Sequence, residues 1–204
     1  MTRDIPEISL QRLPVYLNYL KSLSGDENKY ISSGAIAVAL GMGEVLVRKD
    51  LAYTSSAGRP KVGYVRTELI AAIEEYLGCN AKKNAVLVGV GGLGRALLGY
   101  GGFANYGIDI VEAFDNDPAK IGTQVSGKKV YAVEELGAGI VRCNPTLAIV
   151  AVPAAAAQSV CDMLVKAGVK GILNFAPVQL KAEQGVVVRN IDVAANLAII
   201  ASML

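Results

Sequence analysis

The sequence predicts an α/β protein in two parts, a small helical domain with a β wing followed by a parallel sheet wound with helices. Three observations predict it. The stretch "VLVGVGGLGRAL" (86–97) runs from an apolar strand into Gly-x-Gly-x-x-Gly and then a helix. From Ala85 onward, apolar segments at 85–90, 109–115, 147–152, 171–175 and 186–188 alternate largely with helical or turn segments. Ahead of them come a helix, a short helix, a tight turn, a basic helix and a basic hairpin, the order of a winged helix-turn-helix. The predicted domains are 1–79, 85–190 and a terminal helix over 191–204, with the joint at "CNAKKN" (79–84).

The first helix reads from "LPVYLNYLKSL", where Leu13, Leu17 and Leu20 recur at helical spacing and Pro14 falls in the first turn, where its missing N–H is harmless. A short helix opened by Ser32 or Ser33 breaks at Gly41–Gly43, and a second starts near Glu44. "SSAGRPKVGYVRT" supplies the hairpin, with Val62, Tyr64 and Val65 on its returning arm; "ELIAAIEEYLG" closes the region as an amphipathic helix ending at Gly78. At the other end, "NIDVAANLAIIASML" is apolar around almost its whole circumference, broken only by Asp192, Asn196 and Ser202. Such a helix needs burial on every side, either over its own sheet edge or in a partner subunit.

Of the 204 residues, 52% are hydrophobic and 19% charged, which excludes a disordered or polyelectrolyte chain. A net charge of +2 does not by itself argue for nucleic acid. Cys79, Cys143 and Cys161 form no CxxC pair, and with no histidine a zinc site is nearly unbuildable; reduced thiols and no metal are expected. "MTRDIPEISL" has no apolar core and no segment reads as a membrane span, so a soluble cytoplasmic protein is expected.

The glycine motif gains its value from context. Gly89 permits the tight turn, Gly91 lets backbone approach a pyrophosphate, and Gly94 lets helix pack closely on strand, with Val90, Gly92 and Leu93 completing the loop. Asp115 lies 21 residues past Gly94 at the end of the next strand, placed to accept from a ribose 2′-OH and to repel a 2′-phosphate. Asp117 is the alternative for that contact, and Pro153, just past the strand at 147–152, is a further cofactor-binding candidate. A Rossmann-type domain holding NADH or NAD+ follows, against a glycine-rich turn that binds nothing, or CoA or an adenine nucleotide on the same frame. A dehydrogenase also needs a placed acid or base, and histidine is absent. The nucleotide reads as a signal rather than a reagent.

Between Val45 and Arg66 five basic residues (Arg48, Lys49, Arg59, Lys61, Arg66) stand against one acid, Asp50, while the first 80 residues as a whole are neutral. On the second helix Val47 and Leu51 share a core face, and Val45, Arg48, Lys49 and Ala52 cluster opposite, suited to the major groove. Arg59 and Lys61 on the hairpin, with Ser55 at its start, are candidates for phosphate or minor-groove contacts. The alternative is a solvated basic face on an ordinary helical domain.

These residues resemble the Rex family of redox-sensing transcriptional repressors over essentially the whole chain: "RLPVYLNYL", "SSGAIAVALGM", "VRKDLAY", "VGVGGLGRAL", "GILNFAPVQL" and "NIDVAANLAII" stand in that family's order. The resemblance implies a homodimer on double-stranded operator DNA with inverted-repeat half-sites, no membrane association, a terminal helix exchanged between subunits, and NADH lowering DNA affinity. It implies that Arg48 and Lys49 sit on the recognition helix and Arg59 and Lys61 in the wing. Tyr100 would lie near the nicotinamide, and Arg12 and Asp192 would form a pair that changes partners with ligand state. "GRPKVGY" stands where many members have Arg-Gly before Val-Gly-Tyr, and Val193 where an aromatic often follows the aspartate. The rival readings are an NAD-dependent oxidoreductase with an N-terminal cap, and a nucleotide-binding module whose basic helix meets an acidic protein.

Overall fold

The computed structural model describes residues 5–25, 29–54, 58–59 and 62–204. It divides into two units at Ala81/Lys82. The class is the predicted one, a winged helix-turn-helix followed by a Rossmann-type sheet.

In the first unit α1 (Glu7–Ser22), β1 (Tyr30–Ile31), α2 (Ser33–Leu40), α3 (Glu44–Ala52), β2 (Tyr64–Val65) and α4 (Arg66–Leu77) enclose one core. Leu13, Tyr16, Leu17 and Leu20 of α1 meet Ile36, Val47, Leu51, Leu69 and Ile73, all buried. Ser32 is the N-cap of α2, accepting from the Ala35 N–H at 3.0 Å, and Gly41 (φ 63°) ends it in the left-handed conformation that glycine adopts without strain. β1 and β2 pair antiparallel, Tyr30 with Val65 and Ile31 with Tyr64. The first helix departs from expectation: it begins at Glu7, not near Leu13, so Pro14 lies inside it. Pro6 caps the start through its carbonyl, which accepts from Ser9 and Leu10, and burial of Ser9, Leu13, Tyr16, Leu17 and Leu20 along one stripe outweighs the bond Pro14 cannot make.

In the second unit the elements are β3 (Lys83–Val88), α5 (Gly92–Leu98), β4 (Ile108–Asp115), β5 (Gln124–Val125), β6 (Lys128–Ala132), α6 (Leu136–Cys143), β7 (Leu147–Val150), α7 (Ala154–Lys166), β8 (Gly171–Asn174), β9 (Val187–Asn190) and α8 (Val193–Ala201). They form one sheet in the order β5-β6-β4-β3-β7-β8-β9, parallel except at β5–β6. From β6 to β9 this is the doubly wound order, with its topological switch between β3 and β7. The β5–β6 hairpin was not among the expected strands; Ser126 (φ 49°) and Gly127 (φ 76°) form its two-residue turn, both in the positive-φ region that such hairpins require.

The two faces of the sheet are covered unequally. Val86, Val88, Phe114, Val150 and Ile172 pack under α6 and α7, whereas Leu87, Ile110 and Ile149 meet α5 on the other face. Beyond α5 that second face holds an apolar groove of about 260 Å³ lined by residues that include Ala85, Phe103, Leu147, Leu173 and Val187. The helix α8 buries none of its residues; Leu197, Ile199 and Ile200 are all more than half exposed. Of the two readings of this helix, burial over its own sheet edge is not what the structure shows.

Candidate nucleotide cleft and basic helix

The glycine-rich turn is built as the spacing predicted. Gly89 (φ +99°) passes so close to β7 that a Cβ there would lie 2.4 Å from the Ala151 carbonyl oxygen, and one on Gly94 would lie 1.9 Å from the Gly89 oxygen. At Gly91 and Gly92, by contrast, nothing stands within 4 Å of the Cβ position, so the backbone there is open to a ligand. Val90 is fully buried; Leu93 is partly exposed on α5. A cleft of about 340 Å³ opens at the carboxyl ends of β3, β4 and β7, lined by Gly89, Gly91, Asp115, Asn116 and Lys120 on one side and by Pro153, Ala156, Ser159 and Met163 among others on the second.

Asp115 is buried and already well supplied with donors. Its Oδ2 accepts from the Val90 N–H at 2.6 Å, its Oδ1 from the Asp117 N–H at 2.9 Å, and Lys120 Nζ lies 3.2 and 3.4 Å from the two oxygens. Burial pushes this carboxyl up, but the Asp117 and Val90 amides and the Lys120 ammonium together hold it below the usual carboxylate range. Asp117 keeps 42% of its side chain exposed, accepts from Ala119 N–H at 3.0 Å and faces Lys120 at 3.4 Å. Two carboxylates around one ammonium leave this end of the cleft net negative.

On α3, Val47 and Leu51 are fully buried while Val45, Arg48, Lys49 and Ala52 face outward, as the periodicity required. Arg59 is held in a turn closed by two bonds with Gly63, at 2.7 and 2.9 Å. Ser55 and Lys61 lie outside the described residues. Two members of the charge tally behave otherwise than the sequence suggested. Arg66 turns inward, its Nη1 donating to the Leu23 carbonyl. Asp50 is 1% exposed and subtracts nothing from the outer face. It accepts from Arg12 Nε at 2.6 Å, Arg12 Nη2 at 2.8 Å and the Tyr16 hydroxyl at 2.7 Å. Sequence reasoning missed this cluster. The signal was Asp50 itself, three residues past Val47 on the core face, where a carboxylate needs partners.

Residues 4–52 match a family model described as "Putative DNA-binding protein N-terminus" and residues 80–178 one described as "CoA binding domain". The redox-sensing transcriptional repressor Rex of Carboxydothermus hydrogenoformans is 44% identical over 96% of this chain and 94% of its own, and that of Treponema denticola 40% identical over 96% and 93%. The chain belongs to the Rex family. The crystal structure of RSP in complex with β-NAD+ and operator DNA superimposes with a TM-score of 0.92 at 30% identity, covering 98% of this chain and 92% of RSP. RSP in complex with β-NADH gives a TM-score of 0.88 at 29% identity, covering 98% of this chain and 94% of RSP.

Within this Rex chain each residue of the expected switch has its own partner inside its own unit. Arg12 holds Asp50. Tyr100 follows α5, is 61% exposed, and sets its ring edge-on to Phe103 at 5.3 Å between centroids. It lines a separate groove of about 180 Å³ with Asp109 and Lys128, at the start of β4 and thus at the sheet end opposite the glycine-rich turn. Asp192 caps α8, its Oδ1 accepting from Ala195 N–H at 2.8 Å. The three cysteines are free thiols, and burial pushes those of Cys143 and Cys161 up. Among the described residues no acidic or cysteine cluster is placed to hold a metal, and no helix is long and apolar enough to cross a membrane.

Proposed function

We propose that this chain is a redox-sensing transcriptional repressor that binds inverted-repeat operator DNA as a homodimer and leaves it when NADH binds. The observation that carries the reading is the near-full-length likeness to RSP, a repressor solved with both β-NAD+ and operator DNA, in a chain that has both the outward basic helix and the open glycine turn. Arg48 and Lys49 reach base edges and phosphates from α3, and Arg59, with Lys61 and Ser55 as further candidates, contacts phosphates or the minor groove. The backbone of 89–94 takes the pyrophosphate, Asp115 and Asp117 form the ribose end, and Pro153 lies toward the nicotinamide end. The cytoplasm is where such a regulator works.

Two unmatched apolar surfaces support the dimer: α8, none of whose residues is buried in its own chain, and the apolar groove over β7 and β8. Exchanging α8 between subunits removes both from water. The exchange would also carry Asp192 into the partner, where Arg12 and Tyr100 are the groups it can trade between. NADH must favour the DNA-releasing arrangement more than NAD+ does, since equal affinity for two states shifts nothing. A neutral dihydronicotinamide suits an apolar pocket, whereas the cationic ring needs solvent or an anion.

The test is fluorescence anisotropy of the purified protein on a library of inverted-repeat duplexes at fixed salt, titrated with NADH and NAD+ in parallel. Selective binding abolished by NADH at concentrations where NAD+ leaves it intact is expected. Loss of selectivity for any duplex, or equal effects of the two nucleotides, would sink the proposal.

A further inference from the structure

The geometry points to Asp50 as the positioning residue of the DNA-reading helix, its carboxylate fixing the rotation at which α3 presents Arg48 and Lys49. This rests on α3 being that helix.

Only two fully buried apolar side chains, Val47 and Leu51, seat the nine-residue α3 on the core. Apolar burial is non-directional and fixes depth better than rotation. The short directional bonds come from Asp50; Glu44 at the start of α3 also accepts from Ser33 Oγ on α2, at a longer 3.4 Å. The Arg12 fork grips both its oxygens and the Tyr16 hydroxyl grips one, so a carboxylate on α3 is fastened at three points to two residues a turn apart on α1. The donors are themselves held: Tyr16 is fully buried, and Arg12 Nη2 also reaches Ser9 Oγ at 3.2 Å. Lys49 is the neighbour of Asp50 and Arg48 the next residue back, so any rotation of Asp50 is transmitted to both. With side chains reaching about 5–6 Å from the axis, a 20° rotation displaces a side chain by about 2 Å. That exceeds the tolerance of a hydrogen bond to a base edge, while a phosphate contact, being largely electrostatic, survives it. Asp50 therefore bears on which sequence is bound more than on whether DNA is bound.

The experiment uses the full chain and its Asp50→Asn and Tyr16→Phe variants, each shown folded by circular dichroism and assayed well below its melting midpoint. Affinities are measured for the inverted-repeat duplex that the unmodified chain selects and for a scrambled duplex of the same length. Asp50→Asn is expected to lower the specific-to-scrambled ratio at least tenfold, with scrambled binding and its salt slope unchanged. Tyr16→Phe, which keeps the packing, is expected to lower the ratio about threefold and decides the matter if Asp50→Asn does not fold. An unchanged ratio in the folded variants, with the unmodified chain still selective, would overturn the inference alone. No selectivity in the unmodified chain would remove it together with the function on which it rests.

Discussion

Asp50 and Asp115 are both buried carboxylates beside an element that meets a ligand, and they differ in what holds them. Asp50 is fastened by side chains from another helix, Arg12 and Tyr16, 38 and 34 positions away in sequence. Asp115 is fastened by the main chain, through the amides of Val90 and Asp117, with one ammonium beside them. A helix presented to DNA is set by side chains that can be altered singly. A phosphate-binding turn is set by where backbone can pass, and its controlling residues are the ones without side chains. Substitutions should therefore break the two sites in opposite ways.

The largest effect is expected in the turn. Gly94→Ala places a methyl against the Gly89 carbonyl, and no rotamer can relieve it because both atoms are fixed to backbone. A loss of roughly 5 kcal/mol in urea unfolding of the second unit is expected, with NADH binding abolished by isothermal titration. Normal NADH affinity would show that α5 can slide, and would break the contrast. Next comes Asp50→Asn, which leaves Arg12 without its counter-charge and is expected to cost about 3–5 kcal/mol at neutral pH. Its pH dependence sharpens the point. Burial raises the Asp50 carboxyl, but Arg12, Tyr16 and Ser9 together hold it below its ordinary value of 3.8. A lowered folded-state value gives stability that is present above the unfolded value and lost as pH falls through the folded one. The gap between parent and variant should thus stay constant from pH 7 to about 4 and close below it. Tyr16, pushed up to about 12 chiefly by burial and then by Asp50, stays protonated and donating throughout. A gap that closed near neutrality would assign the effect to another group.

The same contrast explains what could be read in advance. The turn was legible because glycines act through their own backbone: position and spacing in "GVGGLG" suffice to specify Gly89 and Gly94. The outward face of α3 was legible because one helical period separates Val47 and Leu51 from Arg48 and Lys49. Asp50 was counted as a surface acid because its partners lie on a helix more than thirty residues earlier, and a charge tally carries no burial. Arg66 was counted as a surface base for the same reason. The start of α1 is hard to read because Pro14 suits a first turn, whereas the buried stripe continues behind it through the polar Ser9. The β5–β6 hairpin is hard to read because β5 has only two residues and β6 opens on Lys128-Lys129, leaving Ser126-Gly127 as its signal. That α8 finds no cover in its own chain is a property of tertiary packing, which its composition left open between two answers.

The smallest expected effects separate the two aspartates at the ribose end. Asp115 has both oxygens engaged by main-chain donors, so Asp115→Asn presents an amide N–H2 where an N–H must be accepted. It should weaken NADH and NADPH binding alike by about 1–3 kcal/mol, through release of the turn. Asp117 is half-exposed beside Lys120, so in the proposed ribose end its charge, rather than a buried bond, would act on the ligand. Asp117→Asn removes one of two negative charges facing a 2′-phosphate while Lys120 remains, and should narrow the NADH-to-NADPH affinity ratio by up to about tenfold, or about 1.4 kcal/mol, with little loss of NADH affinity. Paired titrations of both variants with both nucleotides read this directly. If instead Asp115→Asn narrows the ratio and Asp117→Asn leaves it unchanged, the ribose contact belongs to Asp115, and one carboxylate holds the turn and chooses the nucleotide at once.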